Sequence, residues 1–189
     1  MRRTLGRLLY GQGLWVVFFA CAAAAEGANL PLWTHAASAG TPDESAWTIV
    51  RLVQGEATLQ PGVAPPASIT MRYNIVALDG LFSPLTPTSW PSVGIRYRDN
   101  GTGAQVIATV KSYDYTTGLT TVLAQFYSDR YRSSTAYQTR TFGSCARFSE
   151  FDFATKAYFI EVQLVKSAEG GDPGVGVLFA SRYGVCTSE

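Results

Sequence analysis

Histidine is almost missing from this chain. His35 is the single one in 189 residues, and it falls in a polar, proline-interrupted N-terminal stretch. A Ser–His or Cys–His pair needs a base beside its nucleophile, and a zinc centre needs three or four converging His, Cys, Asp or Glu ligands. Neither is supplied here. A copper site built on a mature N-terminal histidine would require cleavage directly before His35, where Leu32, Trp33 and Thr34 make a poor cleavage sequence. The Gly-x-Ser-x-Gly elbow, the phosphate-binding glycine loop and the dinucleotide fingerprint are all absent. No cofactor and no metal are expected.

Long apolar runs are missing too. The one near the start, Leu14 to Ala20, follows Arg2, Arg3 and Arg7 and precedes the small residues Ala22 to Ala25, which is the layout of an export leader cut after Ala25. Gly11, Gln12 and Gly13 interrupt it, so it falls short of the ~20 residues that span a bilayer. No later stretch reaches that length. The expectation is a signal peptide over 1–25, an extracytoplasmic address, secreted or periplasmic, and a mature chain without a transmembrane segment. Phe18 and Phe19 ahead of Ala20 fit a lipid-attachment box at Cys21 poorly, and "MRRTLGR" lacks the flanks of twin-arginine export.

Cysteine is scarce at three. Once Cys21 leaves with the leader, Cys145 and Cys186 remain as an even pair in an oxidising compartment, which reads as one disulfide. Closing a loop of roughly 40 residues stabilises by about 4 kcal/mol on the chain-entropy account. Charge is sparse as well, 15% of residues. The leader takes three arginines and no acid from 15 basic and 14 acidic residues, leaving a slight acidic excess and no footprint for nucleic acid.

What is present is β chemistry. Tyrosine, threonine and valine are abundant, aromatics reach 13%, and these side chains suit a pleated, half-buried surface. No window carries a 3.6-residue apolar period. The roughly 160 residues after the leader fit one domain that buries about 70% of its unfolded surface. Residues 26–44 read as an N-terminal arm or an early strand over a sheet edge, with Trp33 favouring docking, and 45–189 as a single sandwich. Strands are expected at Ala46 to Val53, Ala57 to Gln60, Ser68 to Leu78, Ser92 to Asp99, Ala104 to Tyr115, Leu119 to Ser128, Tyr137 to Phe142, Ala157 to Lys166 and Val175 to Tyr183. The fold class is all-β: an antiparallel β-sandwich, jelly-roll-like, with one disulfide.

Residues 92–128 look like a three-strand meander, turning at Asn100-Gly101 and at Gly118. Its inward set is Val93, Ile95, Tyr97, Val106, Ala108, Val110, Val122, Ala124 and Phe126, joined by Tyr158, Ile160, Val162 and Leu164. The loop "LFSPLTPTSWPS" carries three prolines and Trp90 and is a stiff connection of the kind that holds ligand contacts.

Carboxylates offer the one enzymatic opening, since two on neighbouring strands suffice for glycoside hydrolysis. Asp79, Asp99, Asp114, Asp129, Asp152 and Glu161 are the candidates. Asp99, Asp114 and Asp129 adjoin turns, where aspartate bonds backbone, and Glu161 has outward parity. A calcium site near Asp99 and Asn100 has no loop motif behind it. Asn100-Gly101-Thr102 is a glycosylation sequon by pattern, and the turn explains the same asparagine. The remaining signal is surface. Trp90, Tyr113, Tyr115, Tyr127 and Tyr131, with Arg96, Arg98 and Arg130, form a candidate aromatic–arginine face on the meander's outer side, suited to stacking on sugars or anchoring a protein.

The stretch "YRDNGTGAQVIATVKSYDYTTGLTTVLAQFYSD" followed by "FDFATKAYFIEVQL", within residues 68–166, resembles a pattern of secreted bacterial β-sandwich proteins of unassigned function. The resemblance implies an exported bacterial sandwich and carries no catalytic residue. The leading expectation is a non-enzymatic protein that binds a glycan or envelope surface through Trp90, Tyr113, Tyr115, Tyr127, Arg96 and Arg98. The alternatives are a self-assembling structural subunit, a homo-oligomer joined through an edge strand or the N-terminal arm, and a glycoside hydrolase using acidic residues.

Overall fold

The computed structural model describes residues 31–76, 92–143 and 151–181. Eleven strands lie there: β1 (Pro31–Ala36), β2 (Thr41–Pro42), β3 (Val50–Val53), β4 (Glu56–Leu59), β5 (Ala67–Ile75), β6 (Ser92–Asp99), β7 (Ala104–Asp114), β8 (Thr120–Tyr127), β9 (Ser134–Phe142), β10 (Lys156–Lys166) and β11 (Gly174–Ser181). All pair antiparallel. The first sheet runs β3-β4-β11-β6-β9, with β1 also on β11; the second runs β2-β5-β10-β7-β8. Strands β4 to β11 therefore follow a jelly-roll order, β4-β11-β6-β9 facing β5-β10-β7-β8. Cys145, Cys186, Trp90 and the leader lie outside the described residues.

The meander expected over residues 92–128 is corrected. β7 and β8 do form a hairpin, with Gly118 at φ 73°, but β6 pairs with β11 and β9 in the other sheet. Residues 99–103 are an arch between sheets. Asp99 is buried, and its carboxylate accepts the Gly101 N–H at 2.8 Å and the Ser128 hydroxyl. Gly101 has φ 75°, as a turn glycine should, but Asn100 does not take the positive φ of a two-residue hairpin. The physical reason is simple. Alternation on two successive strands demands only a shared core, and strands facing each other across that core satisfy it as well as strands paired side by side.

The inward sets hold elsewhere. Val93, Ile95 and Tyr97, then Val106, Ala108 and Val110, then Tyr158, Ile160, Val162 and Leu164 are all buried. On β8 the expectation fails at Val122, which is 47% exposed. A bulge between Val110 and Lys111 places Val122 opposite Lys111 on the outer face, and Leu123 packs against the core instead. Aromatic rings fill the space at this side: Phe126 meets Tyr97 at 4.9 Å, Tyr131 at 5.5 Å and Phe142 at 5.6 Å between centroids. Trp33 is buried on β1. His35 packs near Trp33 and Tyr73, at 5.6 and 5.4 Å between ring centroids, as a structural ring.

Two substitutions test this core. Leu164→Ala, at a fully buried site, is expected to cost about 2–5 kcal/mol in urea unfolding. Ser128→Ala strands both the Asp99 carboxylate and the Val106 N–H that Ser128 accepts at 2.8 Å, and is expected to cost about 1–3 kcal/mol; an unchanged midpoint would remove the arch from the list of fold determinants.

Candidate functional site

The arch divides the aromatic–arginine face expected from sequence. Arg96 and Arg98 lie on β6 in the first sheet, flanking Tyr137 of β9 with guanidinium carbons 5.5 and 5.2 Å from its ring centroid. Tyr113 and Tyr115 lie at the β7–β8 end of the second sheet, 42% and 56% exposed. Tyr127 sits at the far end of β8 beneath Arg130, 4.9 Å away, and Tyr131 stacks on Phe126 with Arg140 at 5.2 Å. These residues do not form one surface. Trp90 lies outside the described residues.

The structure instead presents a groove at the Lys166 end of the sandwich, with a volume of about 410 Å³. Thr58 of β4 lines it, and its register partner on β11 is Gly174. A Cβ at Gly174 would lie 2.9 Å from the Tyr137 hydroxyl and 3.1 Å from Thr58 Cγ2, so only glycine leaves room for that ring. Arg51, Glu56, Gln60, Arg98, Lys166 and Asp172 form the walls. Arg98 donates to Asp172 at 2.7 Å, and its Nε is buried with no hydrogen-bond partner among the described residues. Lys166 donates to the Val63 carbonyl at 2.7 Å. Burial first, and then the adjacent Glu56 carboxylate, push the Tyr137 hydroxyl well above its usual pKa against the opposing Arg98 charge. The Tyr137 hydroxyl is itself buried without a hydrogen-bond partner among the described residues.

Asn100 sets one wall. Its side-chain amide donates to the Gly170 carbonyl at 2.6 Å, and its Oδ1 accepts the Asp172 N–H at 3.1 Å. The sequon asparagine thus fastens the loop that carries Asp172. Trp47, 57% exposed, belongs to the turn 47–49, which is tied to the opposite wall by the Gln60 N–H donating to the Ile49 carbonyl at 2.7 Å. Sequence reasoning passed over Trp47, because it treated Ala46 to Val53 as one pleated strand. The 3₁₀ turn Glu44–Ala46 and the turn after it take Trp47 out of the pleat.

The carboxylates hold structure. Glu161 receives Lys111 at 2.6 Å on one oxygen and Arg72 Nε at 3.4 Å on the other, and Arg72 also pairs with Asp43. Asp129 accepts from Gln105. The Thr116 hydroxyl and then the Thr117 amide hold the Asp114 carboxyl below its usual range, and the Thr155 hydroxyl does the same for Asp152. A general acid for glycoside hydrolysis needs the reverse shift. Asp99 is bonded inside the arch, and Asp79 lies outside the described residues.

No family model matches the chain, and no curated protein matches it. Solved structures that resemble it include PfGH50B, at 11% identity and TM-score 0.47 over 82% of this chain and 24% of that one. A second is TmCBM61 in complex with β-1,4-galactotriose, at 13% identity and TM-score 0.41 over 76% of this chain and 86% of that one. A third is the infectious bursal disease virus VP2 subviral particle, at 16% identity and TM-score 0.38 over 80% of this chain and 32% of that one. The chain spans about a quarter of the length of PfGH50B and a third of the VP2 chain.

Asn100→Ala is expected to lower stability by about 1 kcal/mol per lost hydrogen bond and to speed amide exchange at Asp172. Because the Asp114 pKa is lowered on folding, its contribution is present above the unfolded carboxylate pKa and fades as pH falls through the folded value. The Thr116 and Thr117 amide resonances should therefore titrate below the usual aspartate range; titration at or above that range would contradict the turn.

Proposed function

We propose that the protein is a non-catalytic, exported β-sandwich that binds a glycan in the groove of the first sheet. The observation that carries this reading is the composition of the walls. Arg51, Gln60, Arg98 and Lys166 donate, Glu56, Thr58 and Asp172 accept, and they surround a space within the range of about 300–1,000 Å³ common to small-ligand sites. A sugar presents hydroxyls that both donate and accept, so a mixed lining matches it where a single-sign one would not. Trp47 is exposed two residues from Ile49, whose carbonyl accepts from the wall residue Gln60, and its ring is available for stacking against an apolar sugar face. The export address rests on the leader read at residues 1–25, and the extracytoplasmic setting places glycans within reach.

A homo-oligomer is the second reading, and one observation favours it. Among the described residues β8 and β9 are edge strands of eight and nine residues without proline, whereas the edge strand β2 holds two residues including Pro42. Long unguarded edges pair with other strands.

Polysaccharide pull-down and glycan arrays test the first reading. The wild type is expected to be retained by at least one glycan, with Trp47 emission changing on binding. Arg98→Ala and Trp47→Ala should each weaken retention about tenfold, equivalent to ~1.4 kcal/mol. Retention on no glycan ends the reading, and retention indifferent to both substitutions moves the site elsewhere. Light scattering after size exclusion decides the second: a monomer at every concentration removes it.

A further inference from the structure

Exposed apolar side chains are concentrated at one place. Among the described residues seven large hydrophobics are exposed, and Tyr113, Tyr115, Leu119 and Val122 belong to the single β7–β8 hairpin end, at 42%, 56%, 66% and 47%. Val76 follows Ile75, which is paired with Tyr158 at the same end of β10. Tyr113 and Val122 share the outer face: Tyr113 is paired with Ala157 and Thr120, and Val122 lies opposite Lys111.

The backbone of this turn is closed upon itself. Asp114 N–H donates to the Leu119 carbonyl at 2.9 Å, Tyr115 N–H to Thr155 at 3.3 Å, and Gly118 N–H to Asp114 at 2.8 Å. The Thr116 and Thr117 N–H groups donate to the Asp114 carboxylate at 2.9 and 3.0 Å, and Leu119 N–H to the Thr117 hydroxyl at 3.4 Å. Every N–H from residue 114 to 119 thus has a partner within the chain. Unpaired backbone groups are what make a loop costly to remove from water. The donors of this one are all paired.

We infer that the β7–β8 hairpin end is a contact for a lipid surface, inserting Tyr113, Tyr115, Leu119 and Val122 at the boundary between headgroups and acyl chains. Tyrosine suits that boundary because its ring is apolar and its hydroxyl stays wet. The turn offers no free N–H to a strand partner, and the neighbouring β8 edge begins at Thr120, beyond Tyr113, Tyr115 and Leu119. The four side chains expose on the order of 400 Å² together, about half of the ~800 Å² that each partner gives to a stable protein interface, so a second copy is the poorer occupant. A fluid surface needs no matching concavity. Asp114 and Asp152 stand beside Lys156 at this end, so no cationic patch calls for an anionic surface. The hairpin end and the groove lie at opposite ends of β10, about 33 Å apart at ~3.3 Å per residue.

Co-flotation with phosphatidylcholine vesicles tests the contact on the full mature chain. The wild type is expected to float with vesicles and to persist at raised salt, and the double variant Tyr115→Ser, Leu119→Ser to lose about tenfold in bound fraction. Both side chains point into solvent, and an unchanged circular dichroism spectrum and unfolding midpoint confirm that the variant is folded. Arg98→Ala should leave flotation intact, which separates this contact from the glycan reading. Absence of flotation, flotation unaffected by the double variant, or binding abolished by salt overturns the inference. So does a concentration-dependent dimer that the same variant dissolves.

Discussion

The register of β10 is the constraint on which the rest depends. It pairs along its length with β5 on one side and β7 on the other, so a slip of one residue would expose Tyr158, Ile160, Val162 and Leu164 and bury Phe159, Glu161 and Gln163 in their place. The outer face enforces the same register through charge. Glu161 is held between Arg72 of β5 and Lys111 of β7, and Arg72 reaches on to Asp43 beside β2. Such half-exposed pairs add little energy singly, but they are aligned only when the apolar set is aligned. Two independent patterns on one strand thus select a single pairing.

Strands were legible in the sequence, whereas the partition into sheets was not. Ser92 to Asp99 and Ala157 to Lys166 announce themselves by alternation and by turn residues at their ends, and the structure places β6 and β10 there. Asn100-Gly101 carries the residues of a hairpin and yet crosses between sheets. What decides its path is distant: Asp99 reaches Ser128, Asn100 reaches Gly170 and Asp172, and Gly103 accepts from Ser167. No local signal records those partners, because they lie 29 to 72 residues away.

The site was legible in part, for the same reason. Tyr113 and Tyr115 point into solvent as parity requires, and Arg96 also lies on an outer face, but of the opposite sheet. The groove was hidden, since its walls come from β3, β4, β6, the end of β10 and the loop before β11. Alternation identifies which side chains face outward. It is silent about which outward side chains converge, and convergence is what makes a binding site.

β10 also determines how the two surfaces relate. Its Lys156 end carries the closed, apolar hairpin turn, and its Lys166 end borders the polar groove, with a doubly paired strand between them. A strand bonded on both sides cannot bend to bring its ends together, so occupation of one surface leaves the other sterically free. The difference in chemistry follows from the same geometry. At the hairpin end the backbone N–H groups are paired within the chain and side chains are left to make contact, whereas at the groove the loops converge and their charged side chains remain partly unmatched, as at Arg98 Nε. On the proposed reading, a molecule built this way would hold a hydroxyl-rich ligand at a fixed distance from an apolar surface, which neither contact would achieve by itself.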